Sequence, residues 1–359
     1  MRTKNLFGML ALLGLAGWMF AACSDDSAGT NNTNKVCNHN GQCDAGENTA
    51  NCPDDCPKVQ CSLTDGDNYN YIMNKIQIPL NGTEAKTIGV DLDGDGTIDN
   101  KLGQIMALVP KADDGTTVND ALQTSIDNGT IILLGRLIMN QWPSDDVMAA
   151  QIFPGDTTSG DATADDLSGT GCALVSSTAD QSLKLCGMVA NNSLRVGPDS
   201  IQIALSLSGV NMTISLDQAQ AEGTVHEDSW SDVQVGGGIT KENLNNELIP
   251  ALVSWLNDAT KKDPTGSVGK FVLDSLDANC STSAEGCEDV TNGSGDCKAW
   301  DPQNPVGDPL TDKEIKCSSL FAAALKPDVD IDGDGTKDLL SLGIKVSAVK
   351  VTIGSGTCQ

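Results

Sequence analysis

The chain of 359 residues is poor in aromatic and basic side chains and has almost no histidine. Aromatic residues make up 3% of it, there are 2 histidines, and 22 Lys and Arg stand against 49 Asp and Glu, giving a formal net charge of -27. A surface of that sign repels nucleic acid and anionic lipid headgroups, so nucleic-acid binding is excluded as a function. The scarcity of rings also disfavours a sugar-processing site, because such sites usually stack sugars on aromatic side chains.

Several sequence patterns that carry catalysis are missing as well. The chain has no G-x-S-x-G turn, no H-E-x-x-H helix and no Walker A loop, which disfavours the common serine hydrolases, zinc proteases and nucleotide hydrolases. In the predicted strand pattern His226 shares a face with polar neighbours, so a solvated position is favoured over a general base. No catalytic residue is therefore assigned. A pair of carboxylates, as in glycosidases, is the remaining catalytic route in so acidic a chain.

The amino terminus has the features of an export signal. Arg2 and Lys4 precede an apolar run over residues 6–20, which is shorter than the roughly 20 residues that a membrane-spanning helix needs. Small residues follow the run up to Cys23, and polar residues come next, as in a signal peptide that is removed. The pattern resembles the lipobox of bacterial lipoproteins. That resemblance implies cleavage of residues 1–22, diacylglycerol on the Cys23 thiol, and a membrane anchor at the outer membrane or cell surface.

The cysteine count supports the same interpretation. Of the 13 cysteines, setting Cys23 aside leaves an even number that suits disulfides in an oxidising compartment. No C-x-x-C pair occurs, so thiolate-bound zinc is disfavoured. Cys172 with Cys186, and Cys280 with Cys287, are near enough in sequence to close short loops. Other cysteines are placed to tie distant segments together, and these are Cys61, Cys297, Cys317 and Cys358. Sequence does not fix the pairing.

Two short segments precede the main body. Residues 23–36 are rich in Asn, Thr, Ser, Gly and Asp and predict a flexible tether. Residues 37–57 contain Cys37, Cys43, Cys52 and Cys56 in a stretch too short for a hydrophobic core, so disulfides are expected to fold it as a small module. Its Gly-Glu-Asn and Cys-Pro-Asp-Asp-Cys parts resemble small Cys-rich modules of bacterial surface proteins. Residues 58–359 then form the body.

One aspartate-rich pattern occurs twice in the body. Oxygen side chains at positions 1, 3 and 5, a glycine at 6, a carbonyl at 7 and an acid at 9 match the calcium loop of the EF-hand type. The copies are residues 91–102 and 330–341. Crowded carboxylates about 4 Å apart repel by roughly 1 to 4 kcal/mol per pair, so a cation is expected among them. The predicted calcium ligands are Asp91, Asp93, Asp95, Thr97 and Asp99 in the first copy, and Asp330, Asp332, Asp334, Thr336 and Asp338 in the second.

Both copies depart from an EF-hand at position 12. A bidentate glutamate is expected there, whereas the two copies have Leu102 and Ser341. The pair of flanking helices is therefore not expected. The copies more closely resemble the free-standing D-x-D-x-D-G calcium loops of extracellular bacterial proteins, in which another part of the fold or water supplies the missing ligand. A structural role for calcium follows, because extracellular calcium saturates sites too weak to act as cytosolic sensors.

The hydrophobic patterning predicts a mainly β body with some helix, of the α+β class. Apolar residues alternate with polar ones over residues 201–207 and again over 212–216, with Ser208-Gly209 between them, as in an antiparallel hairpin with one buried face. A third strand is expected to continue to Val225. With the cysteines added, the expectation is an antiparallel, β-rich, disulfide-stapled body.

Two stretches have helical spacing instead. Residues 118–126 place apolar side chains at 118, 122 and 126, which indicates a helix. Residues 242–259 predict the one longer amphipathic helix, with Thr240 as its cap and a kink at Pro250. Its apolar stripe is expected to pack on the core, and it consists of Leu244, Leu248, Leu252, Trp255 or Leu256, and Ala259.

Together these features resemble surface lipoproteins that are common in myxobacteria and related lineages. The residues that carry the resemblance are the lipobox, the Cys-rich segment, the aspartate loops near both ends, and residues 235–245, 248–252 and 340–349. The resemblance implies a calcium-loaded, β-rich surface domain and brings no particular activity with it. The leading hypothesis is a non-enzymatic lipoprotein in adhesion, envelope structure or ligand binding, with an extracellular protein or glycan as partner. An exported hydrolase with a carboxylate pair and a lipid-binding carrier are the alternatives.

Overall fold

The computed structural model describes residues 60–64, 66–111, 113–156, 166–207, 210–277, 309–331, 334–354 and 358. The predicted signal peptide, the tether with Cys23 and the Cys-rich module lie outside the described residues. So do Asp332 and most of the Cys- and Gly-rich stretch that follows Asp277.

Eight antiparallel strands close into a barrel, in which the last strand pairs with the first. In barrel order they are β1 (Asp67–Gln77), β2 (Leu133–Met139), β3 (Asp145–Pro154), β5 (Leu185–Ala190), β6 (Ser193–Leu207), β7 (Val210–Val225), β8 (Ser229–Ile239) and β9 (Leu340–Lys350). A separate short parallel pair joins β4 (Cys172–Ala173) to β10 (Thr352–Ile353). The prediction of a β-rich body with some helix is confirmed, and the closed barrel goes beyond it.

The predicted hairpin is β6 and β7. Ile203 pairs with Ile214 and Ile201 with Leu216, and all four side chains are buried, as the period-two alternation requires. The residues expected to form a third strand are instead the second half of β7. The register shifts near Gln218, whose φ is 54°, so β7 bends and continues to Val225 as one strand.

Helices cover one end of the barrel. Among those described, α1 (Leu102–Met106) contacts β9, while α2 (Val118–Asp127) contacts β1 and β6. The other described α-helices are α3 (Lys241–Asn243), α4 (Ile249–Lys262), α5 (Ser267–Phe271), α6 (Asp312–Cys317) and α7 (Ser319–Ala324). Among the described residues, no helix is both long enough and apolar enough to cross a membrane.

The two predicted helices form where their sequence signals place them. α2 begins after Thr117, whose side chain accepts from the Asp120 backbone in a capping box, and this box satisfies amides that the first turn leaves unpaired. Thr240 caps the longer helical segment, as predicted, by accepting from Asn243 N. That segment runs through α3, a π-helical turn over Leu244–Leu248, and α4. Pro250, where a kink was predicted, lies in the first turn of α4, shortly after the π turn.

Two disulfides join segments that are far apart in sequence. Cys61 pairs with Cys186 across 125 residues, and Cys172 pairs with Cys358 across 186 residues. Cys61 and Cys358 therefore tie distant segments, as expected. Cys172 and Cys186 do not close the short loop between them, because each has a different partner. Cys317 is also disulfide-bonded.

Candidate metal loops and the adjoining apolar cavity

The first aspartate loop, residues 91–99, is held by its own carboxylates. We call it loop 1. Asp91 Oδ1 accepts from Gly94 N at 2.7 Å and Asp91 Oδ2 accepts from Gly96 N at 2.8 Å. Gly96, at position 6 of the pattern, has a φ of 88°, a backbone conformation that residues other than glycine rarely adopt. The sharp turn that the sequence predicted is therefore built, and Asp91 lies at its centre.

Loop 1 brings three acidic side chains together. One carboxylate oxygen from each of Asp91, Asp93 and Asp99 lies within 4.8 Å of the other two. This spacing is suited to a hard cation that is bound by oxygen ligands. Asp95 instead accepts from Thr97 N at 2.8 Å and from the Thr97 hydroxyl, and both residues are exposed. The structure thus gathers three of the predicted ligands and leaves the Asp95 carboxylate bonded to Thr97.

Burial makes this cluster unfavourable for negative charge. It raises the pKa of Asp99 to about 7, and the charges of Asp93 and Asp91 add to that effect. The pKa values of Asp91 and Asp93 are also raised, first by desolvation and further by the neighbouring Asp95 charge. Backbone donors to Asp91 and Asp99 oppose these shifts without cancelling them. A bound cation would favour the ionised carboxylates and so offset the cost of burying them.

The second aspartate loop, residues 330–338, repeats the first in its hydrogen bonds. We call it loop 2. Gly335 N donates to Asp330 Oδ2 at 2.8 Å, as Gly96 N does to Asp91 Oδ2 in loop 1. Two further bonds of loop 1 recur at equivalent positions in loop 2: the position-5 carboxylate accepts from the backbone N of the threonine at position 7, and the position-9 carboxylate accepts from the position-2 amide. Among predicted ligands of loop 2, Asp330, Asp334, Thr336 and Asp338 are described, and Asp332 is not.

The two loops lie side by side. A small cluster of apolar side chains joins their bases, consisting of Val90 and Leu92 from loop 1 and its start, Val329 and Leu339 beside loop 2, and Ile331 against them. Lys337 Nζ of loop 2 lies 3.8 Å from Asp93 Oδ2 of loop 1. The loops are flanked by irregular chain, the short α1 and β9, so neither has the helix pair of an EF-hand.

A buried asparagine connects loop 1 to the barrel. Asn100 Nδ2 donates to Ile88 O and, at 3.0 Å, to Gly343 O in β9. A Cβ atom on Gly343 would lie 2.8 Å from that amide and 2.6 Å from Gly89 Cα, so the close approach requires glycine. Lys101 N also donates to Ser341 O.

The position-12 residues of the two copies have structural partners. Ser341 Oγ donates to Asp328 Oδ2 at 2.6 Å and accepts from Lys101 N at 3.0 Å. Leu102 is the first residue of α1. Each residue thus joins a loop to its neighbours rather than supplying a carboxylate.

An apolar cavity of about 100 Å³ lies directly behind the loops, at the helix-covered end of the barrel. The segments that leave the two loops form part of its wall, because α1 contributes Leu102, Ile105 and Met106 while β9 contributes Leu342 and Ile344. The whole lining is apolar. An eight-stranded barrel is just wide enough to be filled by side chains or to hold one small ligand, and here the filling is incomplete at this end.

A groove of about 480 Å³ adjoins the cavity and has exposed residues in its lining. Met106, Val118 and Trp255 line both spaces, so they form the junction between them. The predicted stripe of the long helix explains part of this wall. Its members Leu248, Leu252 and Trp255 face the cavity, whereas Leu244 and Leu256 are buried in the core as expected.

The alternative of a lipid-binding carrier implied an apolar cavity enclosed by strands and a helix, but the sequence did not locate it. Its lining residues are spread along the sequence from Ile78 to Ile344, so no local sequence pattern predicts it. The one usable signal was the apolar stripe of the long helix, which was interpreted as core. His226 is exposed, and its backbone N donates to Ser229 O in the turn between β7 and β8.

Comparison with known proteins adds no relatives to this description. No protein-family model, curated protein or solved structure matches the chain.

Proposed function

We propose that this chain is an exported lipoprotein, anchored through Cys23 at the outer membrane or cell surface, whose barrel is stabilised by calcium and acts by binding rather than by catalysis. The observation that carries the proposal is the convergence of Asp91, Asp93 and Asp99 in loop 1. The hydrogen bonds that loop 2 shares with loop 1 support a second site of the same kind. The leader, the small residues before Cys23 and the cysteine content support export and lipidation.

Calcium suits these loops better than other divalent ions. The donors are carboxylate oxygens, which disfavours the soft metals that thiolate or imidazole ligands select. Calcium accepts six to eight oxygens in flexible geometry, whereas magnesium requires a near-ideal octahedron and keeps its waters. An irregular loop with three gathered carboxylates, completed by carbonyl oxygens and water, matches the calcium pattern. In this proposal Asp91, Asp93, Asp99, Asp330 and Asp338 hold the ions.

Binding is favoured over the alternative of a carboxylate-pair hydrolase. Such an enzyme needs two facing acids in a cleft. The cavity at the barrel end is lined by apolar side chains, and the gathered acids belong to loop 1 at the surface, where Asp91 is engaged by backbone amides. A role in adhesion, envelope structure or ligand binding requires no catalytic group. An extracellular protein, a glycan or a small ligand would be the partner.

A thermal melt with and without EDTA tests the calcium proposal. The material is the mature chain with Cys23→Ser, which has no thiol at that position to be lipidated. Chelation is expected to lower the midpoint by about 5 °C or more, because a ligand bound only to the folded state stabilises it by mass action. Adding calcium back should restore the midpoint, and adding the same concentration of magnesium should restore much less. An unchanged midpoint, with native protein that contains no calcium by elemental analysis, would contradict the proposal.

Fractionation of expressing cells tests the anchor. The full-length chain is expected in the membrane fraction with a diacylglyceryl mass on the peptide that begins at Cys23. The Cys23→Ser variant should move to the soluble exported fraction, while a Cys61→Ser control keeps the anchor. Recovery of the wild-type chain without lipid would count against the lipoprotein assignment and leave the calcium result standing.

A further inference from the structure

The cavity at the helix-covered end of the barrel has the properties of a ligand site. It is about 100 Å³ in volume and has a wholly apolar lining. Small apolar cavities of this order stay dry and take up hydrocarbon molecules rather than water. Water would find no hydrogen-bond partner on Ile105, Leu122 or Ile214, which are among the lining residues.

The groove adjoins the cavity, because three side chains line both spaces. Met106, Val118 and Trp255 form the junction, and beyond them the groove is lined by apolar groups such as Leu80, Val109 and Pro110. Rotation of these three side chains would join the two spaces into one narrow apolar path from the surface to the barrel interior. A path of that shape fits an unbranched alkyl chain, with the chain end in the cavity and the remaining methylenes along the groove.

The outer end of the groove indicates the kind of head group. Lys111, Thr116 and Thr117 lie at this rim, and two carboxylates accompany them, since Asp114 accepts from Thr116 N and Asp120 accepts from Thr117. Two negative groups beside one ammonium, in a chain of net charge -27, oppose an anionic head. Hydroxyl and backbone groups at the rim can hydrogen-bond a neutral one.

We infer that the barrel binds a single-chain neutral lipid, of the monoacylglycerol or fatty-alcohol class, with its alkyl chain passing the junction of Met106, Val118 and Trp255. The inference deepens the proposed binding function by naming the ligand class, and it rests on that proposal only for the statement that the protein binds rather than catalyses.

Quenching of tryptophan fluorescence by a brominated alcohol tests the inference. The probe is 12-bromododecanol, added below its solubility limit to the calcium-loaded mature chain with Cys23→Ser. Saturable quenching is expected because bromine quenches tryptophan on contact and Trp255 lies in the path. Trp255→Phe should abolish the saturable part, although Trp142, Trp230 and Trp300 remain in the chain.

Two matched substitutions separate this site from surface adsorption. Val118→Phe places a ring in the junction and should weaken binding at least tenfold while Trp255 remains as reporter. Val147→Phe adds the same ring at a side chain that is 49% exposed on β3, and it should bind as the wild type does. If the melt shows that Val118→Phe folds poorly, a second experiment takes its place. Unlabelled octanol, decanol and dodecanol then compete with the brominated probe for the wild-type protein. Each added methylene is expected to strengthen competition about threefold to fourfold.

Three results would overturn the inference. They are quenching that does not saturate, equal quenching in Trp255→Phe, and tighter binding of 12-bromododecanoate than of the alcohol. The midpoint of each sample is recorded in the same buffer, so a lost quench with an intact calcium-dependent melt counts against the lipid site alone. A lost calcium dependence with an intact quench counts against the calcium proposal alone.

Discussion

Asn100 and Gly343 are 243 residues apart in the sequence and are joined by a hydrogen bond of 3.0 Å from Asn100 Nδ2 to Gly343 O. The same side chain donates to Ile88 O and accepts from Leu102 N. One buried amide therefore fixes the chain before loop 1, the start of α1 and the middle of β9. The Asn100 side chain is the group that these three hydrogen bonds share.

Replacing that amide should destabilise the barrel. Asn100→Ala removes both donors and leaves the carbonyl oxygens of Ile88 and Gly343 without this partner, at a cost of about 1–3 kcal/mol. Urea unfolding of wild type and variant measures the difference. Asn245→Ala is the control, because Asn245 is partly exposed and its side chain donates to Lys241 O within the same helical segment, so a change within about 0.5 kcal/mol is expected there. Equal effects of the two substitutions would contradict the stabilising role assigned to the Asn100 hydrogen bonds.

The gathered carboxylates of loop 1 should contribute unequally to calcium binding. Asp93→Asn removes charge from the cluster and is expected to weaken calcium binding by a factor of about ten or more. Asp95→Asn should have a smaller effect, because the Asp95 carboxylate bonds to Thr97 and is exposed. Competition with a fluorescent calcium chelator gives both affinities. If Asp95→Asn weakens binding as much as Asp93→Asn does, the arrangement of loop 1 is not the one that binds the ion.

Without calcium, the protein should become less stable as the pH rises. Burial raises the pKa of Asp99 from 3.8 to about 7, so between these values the folded state binds more protons than the unfolded state. Stability therefore decreases with rising pH across that interval. Urea unfolding in EDTA from about pH 5 to about pH 8 should show the decrease. In Asp99→Asn the slope should flatten, and a wild-type slope of the opposite sign would contradict the burial of Asp99.

The disulfide between Cys172 and Cys358 should hold the carboxyl-terminal segment to the barrel. It closes a span of 186 residues and flanks the β4–β10 pairing, so replacing both cysteines with serine should cost about 2–5 kcal/mol. The same double replacement at Cys61 and Cys186 is the comparison, since it also removes a long-range bridge but leaves β10 tied. Only the Cys172/Cys358 variant should lose protection of residues 351–354 in hydrogen exchange. Peptide mapping that joins Cys172 to Cys186 would refute the pairing.

Local patterns carried the sequence prediction as far as their range allows. The β6–β7 hairpin, α2 and the Thr240 cap each depend on residues a few positions apart, and each was predicted. The closure of the barrel depends on pairs such as Tyr71 with Lys350, for which no nearby residue gives a signal. The partners of Cys172 and Cys186 are likewise set by the tertiary structure, so sequence distance was a poor guide to them.

The candidate sites divide in the same way. Each aspartate loop is a local motif, and Asp91, Asp93 and Asp99 were all named from spacing alone. That the loops are neighbours depends on the apolar contacts between Val90 and Val329 and their neighbours, which only the tertiary structure supplies. The stripe of the long helix identified Leu252 and Trp255 as inward-facing, but periodicity cannot distinguish a filled interior from a hollow one.

The hydrogen bonds of Asn100 tie loop 1 to β9, and this has a consequence for how the protein would respond to calcium. Loop 1 leads into α1 and loop 2 leads into β9, and both elements line the cavity, so an ion bound by the loops would also order two walls of the proposed lipid site. By linkage, calcium would raise the affinity for the lipid by the same factor by which the lipid raises the affinity for calcium. A lipid held at this site would then bind more tightly in calcium-rich surroundings than where the ion is scarce.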